Sequence, residues 1–382
     1  MKNIQLLNKI APIGLKELKA DYVTGEKMEN PDAIMVRSAV MHDMEFGDNL
    51  LAIARAGAGT NNIPVDKCAE QGIVVFNTPG ANANGVKELT IAALMLASRD
   101  IVGGINWAGT LTTDVAKAVE AGKSKFGGCE IDGKVLGVIG LGAIGGPVAN
   151  AATHLGMTVM GCDPYITVEA AWGLSRSVVK APNYDEIYKQ ADYITLHVPA
   201  TAETKNLINA DNLAMMKDGV RIINLSRADI VNSDAIKAAL ASGKVACYVT
   251  DFPTEETINV PGIITIPHLA ASTEESEDNC AVMAARQLTE FIENGNIVNS
   301  VNFPSVSMPR STETRICVFH KNIPNMLTQI SGVISAENIN IDHMSNRSKG
   351  NYAYTILDTD KITPATTEKI KAIDGIVRII VI

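Results

Sequence analysis

The sequence predicts an α/β fold of two doubly wound, parallel-sheet lobes followed by a small ferredoxin-like domain. Three observations predict it. Short apolar runs alternate with helical stretches through the first 270 or so residues, the pattern of parallel strands joined by crossover helices. One of these units carries a G-x-G-x-x-G turn between a strand and a helix. After a stretch rich in Pro and Ser, residues 312–382 read β-α-β-β-α-β.

In the first lobe, residues 4–7, 33–36, 51–54 and 73–76 read as strands, with helices predicted over 13–18, 41–49 and 65–71. Open α/β sheets bind ligands at the carboxyl ends of their strands, so two loops become candidates. Arg37 and Ser38 follow the 33–36 strand. A guanidinium there either forks onto a carboxylate or phosphate or sits in a surface ion pair. The loop that opens at Arg55 contains Gly57 and Ala58, small enough for backbone N–H groups to approach an anion; a plain turn is the alternative.

A helix over 84–99 is apolar almost all round, which implies burial between domains or subunits. The 105–126 stretch, with Trp107 and an Ala/Lys/Glu-rich helix, reads as an arm that packs on a partner subunit.

The second lobe is built around residues 135–163. An apolar strand at 135–139 runs into Gly140, Gly142 and Gly145, and Pro147 suits the first turn of a helix. Gly140 allows the tight turn, Gly142 lets backbone approach a pyrophosphate, and Gly145 lets helix pack on strand. Ala143 and Ile144 complete the cradle, and the helix N-terminus offers free N–H groups to phosphate. A second apolar run ends in Asp163, placed where an acid binds a ribose 2′-OH and favours NAD over NADP. A Rossmann-type dinucleotide site is therefore expected. The alternative is a turn that needs glycine for packing alone.

Further strands are read at 193–199, 221–227, 246–251 and 263–268. Arg227, then Asp251 or Glu255, then His268 follow successive strand ends on the rim that holds the dinucleotide. These residue types suit hydride transfer from a 2-hydroxy acid. His268 serves as the base, since histidine is the side chain that ordinarily exchanges protons near neutral pH. Glu255 fixes its tautomer and stabilises the imidazolium, and Arg227 holds the substrate carboxylate and polarises the carbonyl in reverse. Each also has a plainer reading: a satisfied loop histidine, a solvated acidic loop at 254–256, and an Arg227–Asp229 pair. His197 ends another strand and is the competing base.

Composition narrows the field. A net charge of −9 and a pI near 5.3 argue against nucleic-acid or acidic-membrane partners. Hydrophobic residues make up 46% and aromatics only 4%, so the cores must be built from Ala, Val, Ile, Leu and Met. Six scattered cysteines suit a reducing compartment. The N-terminus lacks the apolar core of a signal peptide and no run is long enough to cross a membrane, so a cytoplasmic location is expected. No metal-ligand, hydrolase-elbow or P-loop spacing occurs.

Together these stretches, with 77–82, 252–255, 267–269 and 301–304, resemble the D-isomer-specific 2-hydroxyacid dehydrogenases of the type carrying a C-terminal ACT domain. The resemblance spans nearly all of the chain. It implies NAD, 3-phosphoglycerate as the phosphorylated 2-hydroxy acid, and a homodimer or homotetramer. It also implies a flavodoxin-like substrate lobe (1–92 and 285–304), a Rossmann nucleotide lobe (93–284) and an ACT-like regulatory domain (312–382). The family's catalytic set falls on Arg227, Glu255 and His268, and its substrate contacts on Arg37, Ser38, Gly57, Ala58 and Asn82. Serine is the implied effector, held by His320, Asn322 and Asn340; a tail that only dimerises is the alternative. Three departures stand out. Thr250-Asp251-Phe252 shifts by one the acid expected to meet the nicotinamide amide, Ala228 replaces a Gly, and Ala270-Ala271 replaces a Gly pair. The competing functions are a dehydrogenase of another acid, such as 2-hydroxyglutarate, and a dinucleotide-sensing corepressor on the same fold.

Overall fold

The structure, a computed structural model, describes residues 2–382. It contains two units: one runs to Asn82 and resumes at Glu277–Ile382, the other is Ala83–Ser276. In the first, strands β1 (Lys2–Leu6), β2 (Tyr22–Gly25), β3 (Ala33–Val36), β4 (Ala52–Arg55) and β5 (Val74–Phe76) form a parallel sheet in the order β2-β1-β3-β4-β5. Short helices α1 (Pro12–Leu15) and α2 (Val65–Glu70) lie between them in sequence. The central strand β3 is buried at every position, as a parallel strand covered on both faces must be, and so is the edge strand β5. The edge strand β2 was not predicted, because four residues with exposed Val23 and Thr24 give no apolar run. The helix predicted over 41–49 does not form. Turn bonds from Met44 N–H to Met41 and from Leu50 N–H to Gly47 replace it, in a segment where Gly47, Asp48 and Asn49 favour turns.

The second unit opens with α3 (Ala83–Ser98), α4 (Ile101–Ala108) and α5 (Val115–Gly122). Its sheet holds β6 (Val135–Ile139), β7 (Thr158–Cys162), β8 (Val179–Lys180), β9 (Tyr193–Leu196), β10 (Val220–Asn224), β11 (Val245–Thr250) and β12 (Ile263–Thr265). The order is β12-β11-β10-β9-β6-β7-β8, all parallel, with the reversal between β6 and β9 where such sheets bind ligands. The intervening helices are α6 (Gly145–His154), α7 (Val168–Trp172), α8 (Tyr184–Gln190), α9 (Ala210–Met215) and α10 (Ser233–Ala241). Helix α3 buries one stripe, Val86, Thr90, Ala93, Leu94 and Ala97, rather than its whole circumference. On α4 and α5, Ile101, Val102, Ile105 and Val115 are exposed, and Trp107 stacks on Phe126 at 5.3 Å.

The long helix α11 (Glu274–Asn294) leads to β13 (Thr314–Lys321), α12 (Met326–Ala336), β14 (Ile341–Lys349), β15 (Tyr352–Thr359), α13 (Pro364–Lys371) and β16 (Ile376–Val381). The sheet is antiparallel in the order β14-β15-β13-β16, the ferredoxin-like arrangement. This tail shares one core with the first sheet. Phe303, Phe319 and Tyr354 pack with Phe76 and Phe291. The 305–311 stretch, expected to be a linker, is pinned. Fully buried Arg315 donates to Asp358, to Asn294 O, to Met308 O and to Pro309 O, and Ser311 donates to Asp358. A buried guanidinium is tolerable only when its donors are satisfied in this way. The two compact units divide at 82/83 and 276/277, and the first includes residues 312–382. Among the described residues no helix is long and apolar enough to cross a membrane.

Candidate functional site

The glycine turn separates what the backbone needs from what a ligand needs. Gly140 has φ +90°, and a Cβ there would fall 2.5 Å from His197 O. A Cβ on Gly145 would fall 1.9 Å from Gly140 O. Both are glycines because the turn leaves no room. A Cβ on Gly142 would meet nothing within 4 Å. The protein alone does not need glycine there, which fits backbone held open for a pyrophosphate at the α6 N-terminus. Asp163, just past β7, accepts from Leu141 N–H at 2.9 Å and Tyr165 N–H at 2.9 Å, so its carboxylate faces the same turn. The residues present therefore suit a dinucleotide.

His197 lies beneath that turn. Burial pushes its imidazole pKa down to about 3, Nε2 is 2.9 Å from Thr195 Oγ1, and Nδ1 has no partner among the described residues. Burial and a lowered pKa make His197 a poorer base than the exposed His268.

Across the reversal, β10, β11 and β12 end in the three expected reactive residues. Arg227 and His268 both approach Phe252: the guanidinium carbon is 5.8 Å from its ring centre, and the imidazole centre is 4.8 Å from it. Arg227 Nη1 donates to Ser226 O at 2.6 Å, and no ion pair with Asp229 forms among the described residues. His268 is exposed and has φ +53°, a left-handed conformation that costs a side-chain-bearing residue roughly 1–2 kcal/mol. Glu255 is exposed in the turn that Thr254 and Thr257 close, and among the described residues no hydrogen bond joins it to His268.

Asp251 is tied to the loop after β12. It is fully buried, and its two oxygens accept from Leu269 N–H at 2.8 Å and Ala270 N–H at 2.9 Å. Burial pushes its pKa up, against the pull of those two bonds. Both carboxylate oxygens of Asp251 are thus engaged by backbone, while its neighbour Phe252 packs on the His268 ring. Asp251 and Phe252 were within reach of the sequence as neighbours of a motif, but their roles were not: both depend on a loop some 17 positions away.

In the other unit, loops after the adjacent strands β3 and β4 carry Arg37, Ser38, Gly57 and Ala58, and Arg55 Nε donates to Arg37 O at 3.0 Å. A residue missed in the sequence, Asn8, fixes the first loop: its Oδ1 accepts the N–H groups of Arg37, Ser38 and Ala39. Only its place after β1 could have hinted at this. Asn77 Nδ2 donates to Ala58 O at 2.6 Å, and Thr78 N–H donates to Gly57 O, which brace the second loop. Asn82, half-buried, follows β5 on the same edge as the last residue before the division. Arg37 also realises its plainer reading, since Nη2 lies 2.5 Å from Glu277 Oε1 at the start of α11.

The three expected effector residues do not meet. His320 is buried on β13, with Nδ1 2.9 Å from Lys321 O and Nε2 2.9 Å from Thr355 Oγ1. Asn322 follows it, donating to Gly350 O. Asn340 precedes β14, which runs parallel to β13 across β15, so it lies at the opposite end of the sheet. About six extended residues, roughly 20 Å, separate the two ends.

Comparison with known proteins gives a consistent picture. Residues 92–270 match the family model described as D-isomer specific 2-hydroxyacid dehydrogenase, NAD binding domain. The Haemophilus influenzae protein named D-3-phosphoglycerate dehydrogenase is 32% identical over 349 residues, 88% of this chain and 82% of that protein. The Saccharomyces cerevisiae D-3-phosphoglycerate dehydrogenase 1 is 32% identical over 365 residues, 88% of this chain and 74% of that protein. Among solved structures, an Entamoeba histolytica 3-phosphoglycerate dehydrogenase with bound NAD+ is 26% identical, with a TM-score of 0.60 over 79% of this chain and 98% of that one. The apo D-mandelate dehydrogenase of Rhodotorula graminis, at 22% identity and a TM-score of 0.67 over 81% and 99%, shares the fold.

Proposed function

The chain belongs to the D-isomer-specific 2-hydroxyacid dehydrogenase family and is an NAD-dependent enzyme, and on that premise we propose that it oxidises 3-phospho-D-glycerate to 3-phosphohydroxypyruvate, the entry to serine synthesis, in the cytoplasm. One observation carries this reading. Relatives named for that activity match 88% of the chain, a share that cannot be reached without part of the tail.

When bound, NAD supplies the hydride acceptor; the 140–145 turn and Asp163 are the residues that would hold it. The protein's own work is at the other end of the rim. His268 takes the C2 hydroxyl proton onto an imidazole nitrogen as the C2–H bond breaks. Arg227, with one donor on Ser226 O, keeps its remaining donors for the substrate carboxylate. Glu255 steadies the imidazolium once it forms, and Arg37 and Ser38 hold the phosphate. The tail binds serine as end-product inhibitor through His320, Asn322 and Asn340. Because these lie at two ends of one sheet, that site draws on a second copy of the chain, in a homodimer or homotetramer.

The Arg37–Glu277 pair favours a second reading, a smaller or unphosphorylated 2-hydroxy acid, because the cation meant for phosphate already has a carboxylate. Steady-state turnover with NAD on 3-phosphoglycerate, 2-hydroxyglutarate, glycerate and lactate decides between them. Preference for 3-phosphoglycerate is expected, reduced by added serine. Turnover of it no faster than of lactate would sink the first reading.

A further inference from the structure

We infer that Asp251 is a positioning residue for His268: its buried carboxylate fixes the left-handed turn that carries the imidazole, while adjacent Phe252 seats the ring. This rests on His268 being the base. A histidine at φ +53° does not hold that conformation unaided, and the surroundings must determine it. Two determinants are present. The N–H groups of the next two residues, Leu269 and Ala270, converge on the two oxygens of Asp251, at 2.8 and 2.9 Å. The imidazole itself packs on Phe252, with ring centres 4.8 Å apart. Backbone and ring are thus set by the two consecutive residues that follow β11.

Asp251 is itself held. Its N–H donates to Asn224 O at 3.2 Å, and Ile266 N–H donates to Thr250 O at 2.8 Å, tying the ends of β10, β11 and β12 together. A carboxylate serves this task better than an amide. It offers acceptors on both oxygens to two N–H groups that face it, whereas an asparagine would turn its NH2 against one of them. It also places a negative charge close to a ring that becomes positive during the reaction. Arg227 also approaches that ring's neighbour Phe252, its guanidinium carbon 5.8 Å from the ring centre, and exposed Glu255 follows three residues after Phe252.

The test compares Asp251→Asn, His268→Gln and the double variant. Asp251→Asn is expected to lower kcat by roughly 100-fold, within the range general-base catalysis contributes. KM for NAD and the directly measured NAD affinity should stay within about threefold, because the cradle lies elsewhere in the sheet. The acid limb of the kcat/KM profile should move to lower pH by about half a unit or more, since imidazolium loses a stabilising neighbour. The double variant should be no slower than His268→Gln alone, as expected for one residue acting through another. Additive losses, an unmoved acid limb, or a loss of NAD affinity matching the loss of turnover would each overturn the assignment. If His268→Gln keeps full turnover, the base reading itself fails; if it is inactive while Asp251→Asn is normal, only the clamp fails. Should Asp251→Asn not fold, Asp251→Ser, which keeps one acceptor, carries the same comparison.

Discussion

Two residues in the second unit sit in left-handed backbone just after a strand: Gly140, at φ +90° after β6, and His268, at φ +53° after β12. They solve one steric problem in opposite ways. At Gly140 the conformation is nearly free, because no Cβ is there to collide with His197 O. At His268 the side chain is wanted, and the cost of roughly 1–2 kcal/mol falls on the surroundings. Two hydrogen bonds to a buried carboxylate, each worth about 1.5–3 kcal/mol, are enough to cover it. Where the turn receives a ligand on its backbone, glycine suffices. Where the turn must present a reactive side chain, the fold needs a clamp.

The contrast breaks most visibly at His268. His268→Gly should lower turnover by roughly a thousandfold or more while raising stability by about 1 kcal/mol, because the strained conformation becomes free. Turnover and urea unfolding on the same sample check both signs. A variant that is less stable would mean the turn is held by its ring contacts rather than imposed on the histidine. The reverse exchange, Gly140→Ala, should cost roughly 3 kcal/mol, since its Cβ meets backbone that cannot turn aside. Gly142→Ala should leave stability unchanged and weaken NAD binding by about tenfold, because only the ligand approaches that position. Equal stability losses at 140 and 142 would erase the distinction between them.

The same contrast explains what the sequence could tell. Glycines at 140, 142 and 145 declare their backbone locally, so the strand, the turn and the dinucleotide end were legible, as were the two parallel sheets and the β-α-β-β-α-β tail. Arg227 and His268 were legible as strand-end residues. Asp251 was not, because its role is written in two N–H groups donated by a distant loop. Asn8 was hidden for the same reason. That His320 and Asn322 lie at one end of a sheet and Asn340 at the other was not legible, because motif spacing ignores which end each strand starts from. The 305–311 stretch looked like a linker because composition does not show that Arg315 and Asp358 hold it. The 41–49 segment misled in the other direction, with helix-like spacing overruled by its Gly-Asp-Asn end.

A pH experiment sharpens the comparison from beneath the glycine turn. His197 has its pKa lowered to about 3 in the folded state, against about 6.5 when exposed. Between those values the unfolded chain binds a proton that the folded chain does not. Stability from this group is therefore complete above pH 6.5 and is lost as pH falls toward 3. At pH 4.5 the loss should reach about 3 kcal/mol. His197→Gln should show a correspondingly flatter dependence between pH 7 and 4.5 in urea unfolding. An unchanged slope would mean that the ring is hydrated, and that the glycine turn rests on something other than a dry, neutral imidazole.

The smallest expected effect concerns substrate choice, on a loop of the other unit. Arg37 and Glu277 are each 43% exposed, and exposed ion pairs are worth only about 0–1 kcal/mol. A substrate phosphate can therefore displace Glu277 from Arg37 at little cost, but the displaced carboxylate still repels the incoming dianion. Glu277→Gln keeps the shape of the residue and removes that repulsion. KM for 3-phosphoglycerate should fall by a few-fold, with kcat and the KM for lactate or glycerate unchanged. The comparison between acids is what gives the measurement force: a general loosening of α11 would change all substrates alike, whereas competition for one guanidinium is felt only by the acid whose second anionic group reaches it. If KM falls for none of them, Arg37 spends its charge on Glu277 throughout the catalytic cycle, and the phosphate is held by other donors on the β3 and β4 loops.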